Sequence, residues 1–271
     1  MIIGNQVREG VREDVEDAMV LREHFRIKET SVWITADEKK HIEVAKDELV
    51  RRRRELERFI RWHPLFMLTL ECYEFTEKEW EEMPDVARRM VKATEIFNIG
   101  PMAAVAGTLA ELAVERMRDA GASFAIVDNG GDIAILADRE VFVGVYAGES
   151  PFSGKIAIKV KPTNAIVGVC TSSATVGHSI SFGCADAATV ISDGASLADA
   201  AATALCNAVK DRNSLENAFS ILKDARIHGA LVILGKFLAS WGNVQIVPCS
   251  SVRKRAEEQG QTKEGKREVK Q

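Results

Sequence analysis

Between residues 123 and 170 the chain crowds five short apolar runs with little between them: SFAIVD (123–128), DIAILA (132–137), EVFVGVYA (140–147), KIAIKV (155–160) and IVGVC (166–170). Runs this rich in β-branched and aromatic residues read as strands. Their links include Asn129-Gly130-Gly131 and Asp138-Arg139. Such short turns join antiparallel neighbours, because a parallel crossover takes a dozen residues or more. The fold class to expect is therefore α+β, a largely antiparallel sheet packed with helices.

The flanking sequence supplies those helices. Residues 23–36 read as two short strands around Glu29-Thr30-Ser31. A long helix follows, with Asp37 as its expected N-cap, Ile42, Ala45, Leu49, Leu56 and Phe59 at three- and four-residue steps, and Pro64 as its stop. A short helix carries Val86, Met90 and Ala93 on one side. The stretch GPMAAVAGTLAELAVERMRDAG opens with Gly100-Pro101 and ends at Gly121, as the start and stop of a helix should. Its first half, with Ala103, Ala104, Ala106, Gly107 and Ala110, lacks bulk, so a neighbour must approach it very closely. Beyond a Gly-rich loop (171–185) come a strand (186–192), a helix (196–211), a further helix (214–224) and strands at 231–235 and 244–248. Residues 23–250 are expected to form one domain, after an N-terminal extension (1–22) and before a charged tail (251–271) with too few apolar residues to fold.

Composition narrows the function classes. The 36 basic and 40 acidic side chains leave a net charge of −4, which gives no electrostatic reason to bind nucleic acid or an anionic membrane. The basic run Arg51 to Arg54, continued by Arg58 and Arg61, could form a phosphate-binding strip, but Glu43, Glu48, Glu55 and Glu57 are interleaved at helix-neighbour spacing, and it reads rather as an ordinary solvated face. No stretch approaches about 18 uncharged apolar residues, and the first residues lack a signal-peptide core, so a cytoplasmic location is expected. Five scattered cysteines (Cys72, Cys170, Cys184, Cys206, Cys249) suit reduced thiols.

Three segments could carry chemistry. In Asn129-Gly130-Gly131-Asp132, glycines leave backbone amides open to a ligand, although a plain hairpin turn fits as well. The loop from Cys170 to Asp186 combines hydroxyls, glycines and a histidine: Thr171, Ser172, Ser173, Gly177, His178, Ser179, Ser181 and Cys184. That composition suits hydrogen bonding to a phosphate, ribose or heterocycle. Asp199 and Thr203 lie four apart on one helix face among alanines. Their oxygens suit Mg²⁺, while an Asp that supports the helix dipole is the plainer alternative.

The order GPMAAVAG, NGGD, CTSSATVGHSISFGCADAATVI, LADAAATALCNAV resembles the ApbE-like superfamily, known for FAD-dependent protein flavin transferases, over roughly residues 25 to 248. Within it, the first and third stretches are most similar to a prokaryotic branch common in archaea and anaerobic bacteria. The resemblance implies an ApbE-like fold and a small-molecule ligand, FAD, FMN or a related phosphorylated compound. Its contacts would be Gly100, Asn129, Gly130, Gly131, Asp132, Thr171, Ser172, Ser173, Gly177, Ser179 and Ser181. Asp199 and Thr203 match the family's A-D-x-x-x-T helix and would hold Mg²⁺. Two departures stand out: Val105-Ala106-Gly107 replaces an alanine-lysine-glycine segment, and His178 to Asp186 replaces an H-x-x-D-P-x-T-G loop. The lost lysine removes a charge suited to phosphate, which argues against FAD cleavage and flavin transfer. The same branch also suggests a sulfur relay in homocysteine formation, with Cys170, His178 and Cys184 as catalytic residues, a persulfide on a cysteine and a sulfur-transfer partner protein. A non-catalytic structural subunit and a homo-oligomer also stay open.

Overall fold

The computed structural model describes residues 2–3, 20–175, 182–222 and 226–252. In chain order the strands are β1 (Ile2–Ile3), β2 (Leu21–Ile27), β3 (Thr30–Ala36), β4 (Phe124–Asn129), β5 (Asp132–Ala137), β6 (Val141–Gly144), β7 (Ile156–Val160), β8 (Thr163–Ser172), β9 (Ala187–Ser192), β10 (Ile227–Leu234), β11 (Phe237–Gly242) and β12 (Ile246–Pro248). The helices are α1 (Lys39–Trp62), α2 (Leu65–Leu68), α3 (Glu77–Glu82), α4 (Asp85–Thr94), α5 (Val105–Asp119), α6 (Ala195–Ala208) and α7 (Leu215–Ala218).

Eight strands form one antiparallel sheet in the order β11-β10-β9-β8-β5-β4-β3-β2. A second sheet, β1-β6-β7-β12, is antiparallel except where β1 runs alongside β6. The alternation of strand residues sorts them into two cores. Ala125, Val127, Ala134, Leu136, Val190 and Val232 pack against the helices, whereas Phe124, Ile126, Ile133, Ile135, Val169, Leu231 and Ile233 pack against Val141, Val143 and Ile158 of the second sheet. The inner strands of the large sheet are thus buried on both faces, which is why they read as continuous apolar runs, whereas the edge strand β2 alternates.

This layering corrects the expected hairpins. Asp138-Arg139 does not turn β5 back on itself: β5 pairs with β4 and β8, and the chain crosses to β6 in the other sheet. The Lys161-Pro162 link returns it to the large sheet at β8. Links of three and two residues can do this because the layers stack face to face. Strand β11, absent from the sequence-based expectation, pairs with β10 across Gly235-Lys236. The N-terminal extension also contributes structure, since Ile2 and Ile3 pair with Phe142 and Val143. At the other end, Val252 is buried against Phe142 and Cys249, so the core extends past residue 250. Residues 253–271 lie outside the described residues.

Helix α1 buries the five apolar positions its periodicity predicts and ends two residues before Pro64. Asp37 does not cap it. Glu38 holds the N-cap position without a side-chain bond, and Asp37 instead accepts from Arg139 (3.0 Å). The first half of the arginine run is ion-paired, with Arg51 and Arg52 on Glu48 (both 2.6 Å) and Arg53 on Glu57 (2.8 Å), while Arg54, Arg58 and Arg61 are exposed to solvent. A 3₁₀ turn at Pro101–Ala104 leads into α5. That helix closes with Gly121 at φ 96°, where the Gly121 amide bonds Arg118 and the Ala122 amide bonds Met117, a Schellman ending. Among the described residues, no single helix is long and apolar enough to cross a membrane.

Candidate functional site

The close approach predicted for the small-residue helix exists, and its partner is α6. A Cβ on Gly107 would overlap the Ala195 carbonyl and stand 2.7 Å from the Asp199 side chain. The alanines of both helices let the two N-terminal halves cross nearly backbone to backbone. At this crossing the Gly107 amide donates to Asp199 Oδ2 (2.8 Å), and the Ala106 amide also favours that carboxylate. Both amides are free donors of the first turn of α5, so the carboxylate sits on a helix N-terminus.

The sheet brings more polar groups to the same place. Asn129 and Asp132 are register partners at the ends of β4 and β5, on the helix-facing side, and Asn129 Nδ2 donates to the Ala106 carbonyl (3.1 Å). Cys170, paired with Asp132 across β5 and β8, sets its Sγ 3.4 Å from the Ala195 carbonyl. Burial raises the Asp132 carboxyl well above its ordinary range, and the charges of Asp199 and Asp128 push it the same way. Burial lifts Asp199 to about 7 against the pull of its two amides. Two adjacent desolvated carboxyls, with no cation facing them among the described residues, form an acidic cluster that calls for a proton or a cation.

Two further carboxylates shape the surroundings, and neither was singled out in the sequence. Glu111 on α5 accepts from the Ser196 amide (2.7 Å), and so anchors the α6 N-terminus while Arg89 reaches its other oxygen (3.3 Å). Asp128 Oδ1 takes the Gly131 amide (2.9 Å) and holds the NGGD turn, while its buried Oδ2 has no partner among the described residues. In the sequence each shows only as an acid embedded in an apolar run. Gly130 and Gly131 have φ of 74° and 108°, the left-handed region that favours glycine, with open space above Gly130.

The remaining candidates divide. Thr203 lies one turn beyond Asp199 on α6, partly exposed. Gly177, His178, Ser179 and Ser181 lie outside the described residues. The three hydroxyls expected together do not share a face: Thr171 points to the second-sheet side, where it bonds Thr189 (2.9 Å), while buried Ser172 lies on the helix side and Ser173 begins the loop. Gly100 does not open towards a ligand, because its missing Cβ makes room for the Thr69 carbonyl.

The two loop cysteines are corrected as well. Cys170 lies beside the start of α6, and the Cys184 amide bonds Val209 at its end (2.8 Å). A helix of 14 residues, about 20 Å long, separates them. Nor is Cys170 poised as a thiolate: burial and the charges of Asp132 and Asp199 push its thiol well above the usual range, opposite to the direction a persulfide carrier needs. Cys184 is exposed.

A helix layer on an eight-stranded antiparallel sheet, backed by a second sheet, is the fold of ApbE-like proteins. The family model described as AbpE bacteria matches residues 12–235, and the chain belongs to that family. It is 49% identical over 225 residues to a UPF0280 protein of Methanothrix thermoacetophila, covering 83% of this chain and 93% of the relative. A UPF0280 protein of Methanosarcina acetivorans is 51% identical over 235 residues, covering 86% and 91%. Among solved structures, the apo flavinyl transferase ApbE of Pseudomonas stutzeri shares the fold at a TM-score of 0.51 and 13% identity, over 82% of this chain and 94% of its own. The ApbE protein of Thermotoga maritima does so at 0.51 and 15%, over 82% and 96%.

Proposed function

We propose that this protein binds a flavin nucleotide, FAD or FMN, at the crossing of α5 and α6, with Mg²⁺ between the acidic pocket and the ligand's phosphate. The observation that carries this reading is the pair Asp132 and Asp199, two neighbouring carboxyls raised by desolvation with no cation facing them among the described residues. A hard divalent ion fits them, because it prefers carboxylate and hydroxyl oxygens and keeps positions for phosphate. Asp199 and Thr203 supply such oxygens from successive turns of α6, with Asp132 opposite on β5. Mg²⁺ would neutralise the pocket and present a positive charge to a phosphate that the acids alone would repel.

The chain's own residues do the rest. The space above Gly130 leaves the turn open to a ligand, and Asn129 and Asp128 hold that turn in place from opposite faces of the sheet, Asp128 through the Gly131 amide. Support also comes from the membership above and from the names of the structural neighbours, two of which are ApbE proteins. Transfer of the flavin to a protein is left out of this reading, because Ala106 stands where the family resemblance places a lysine. Fluorescence titration of FMN and FAD, with Mg²⁺ and then with a chelator, tests it. Quenching that requires the cation supports the reading. No quenching at ligand concentrations on the order of 1 mM, equivalent to only about −4 kcal/mol, removes flavin as the ligand.

A further inference from the structure

A ledge of large apolar side chains stands on the surface where α1 gives way to α2. Trp62 is 79% exposed, Leu65 68%, Leu68 65%, Leu70 56%, and Met67 and Ile96 50% each. The short helix is held from below by Phe66, fully buried and edge-on to both Phe59 and Tyr73, so its three other residues are displayed rather than left loose. Ile96 joins them because the Cys72 thiol meets the Glu95 carbonyl (3.9 Å) and the Gly100 amide bonds the Leu70 carbonyl (2.9 Å). Together these residues expose on the order of 700 Å² of apolar surface, above the 300–600 Å² of the largest patch on a typical monomer and close to the roughly 800 Å² each partner buries in a stable complex.

The charges at its margins indicate what covers it. Before the ledge, Arg58 and Arg61 on α1 are exposed and make no ion pair among the described residues, although Arg51, Arg52 and Arg53 on the same helix are all paired. After it, exposed Glu71 and Glu74 are likewise without ion pairs among the described residues. One margin is basic and the other acidic, so the surface is complementary to itself under a two-fold rotation. A basic ligand or an anionic membrane would match only half of it.

We propose that the ledge is a homodimer interface, in which Trp62, Leu65 and Leu68 of two copies meet at a two-fold axis and Arg58 and Arg61 of each copy face Glu71 and Glu74 of the other. Isologous contacts of this kind place one patch against itself, with an apolar centre anchored by tryptophan and a charged rim. The interface lies on different elements from the acidic pocket and does not depend on the ligand proposed for it.

Light scattering on the eluting full-length protein at micromolar concentration tests this. The wild type should have the mass of two chains, and Trp62→Asp or Leu65→Glu that of one, with unchanged circular dichroism. Arg61→Glu alone should weaken the dimer at least tenfold, and adding Glu71→Arg should restore it, a pattern that misfolding cannot imitate. A wild type with the mass of one chain overturns the proposal. So does a dimer indifferent to Trp62→Asp, or flotation of a single-chain wild type with anionic vesicles, which would give the ledge to lipid.

Discussion

At Asp199, burial and a helix N-terminus act in opposite directions, and the balance has a sign that can be measured. An aspartate ionises at 3.8 in an ordinary setting and at about 7 here, so between those values the folded chain holds a proton that the unfolded chain has released. Cation-free stability therefore falls as pH rises through that window, and the full penalty persists above it, an effect of a few kcal/mol at most for one buried group. Asp199→Asn, which keeps an acceptor for the Gly107 amide, should melt higher than wild type at pH 8 without metal and no higher at pH 4. The same variant should lose the stabilisation that Mg²⁺ gives the wild type, because a ligand stabilises only the state it binds. Thermal melts at the two pH values, with and without the cation, check both halves. At Gly107 the effect is steric: Gly107→Ala must force α5 and α6 apart and should cost roughly 1–3 kcal/mol in urea unfolding, although alanine is normally the better helix residue. That glycine was legible in the sequence because a helix lacking bulk can only signal a close neighbour. Glu111 and Asp128 were not, because their work is to hold an amide from a distant part of the chain, and no local pattern encodes that.

Elements were legible where one periodicity ruled them. The α1 stripe and the small face of α5 announced themselves, and so did the Schellman glycine. At φ 96° with open space around it, Gly121→Ala should cost about 1 kcal/mol from backbone strain alone, read as a lower denaturation midpoint with an unchanged slope. What the local pattern could not supply was the destination of each strand. A short link looks the same whether it closes a hairpin or steps between stacked sheets, and only the burial of Ile133 and Ile135 under Val141 and Val143 decides between them. The seam of α4 and α5 rests on Arg89, which faces Asp85 (3.4 Å), Glu111 (3.3 Å) and Glu115 (2.8 Å). Arg89→Ala should strand the largely buried Glu111 and cost about 1–3 kcal/mol, and Glu111→Gln in the same chain should recover part of the loss. Urea unfolding of the single and double variants measures that coupling.

Over the whole molecule, two stacked sheets and a helix layer give the acidic pocket a rigid frame. The acidic site is built from the ends of β4, β5 and β8, the first turn of α5 and the N-terminal half of α6, segments as much as 92 residues apart that meet at the Gly107–Asp199 bond. Three of its members were readable as motifs, the NGGD turn, Cys170 and the Asp199 helix. Their meeting on one face, away from Thr171, depends on strand register. Membership of the AbpE bacteria family places the chain among proteins of this fold, and the cation-dependent flavin site is the claim that goes furthest beyond it. The most direct test is a fluorescence titration of FMN into wild type and Asp199→Asn, each with Mg²⁺ and with a chelator. Saturable quenching in wild type with Mg²⁺, lost on chelation and lost in Asp199→Asn, is the predicted result. Equal binding in all four titrations, or none up to about 1 mM FMN in any of them, would contradict it.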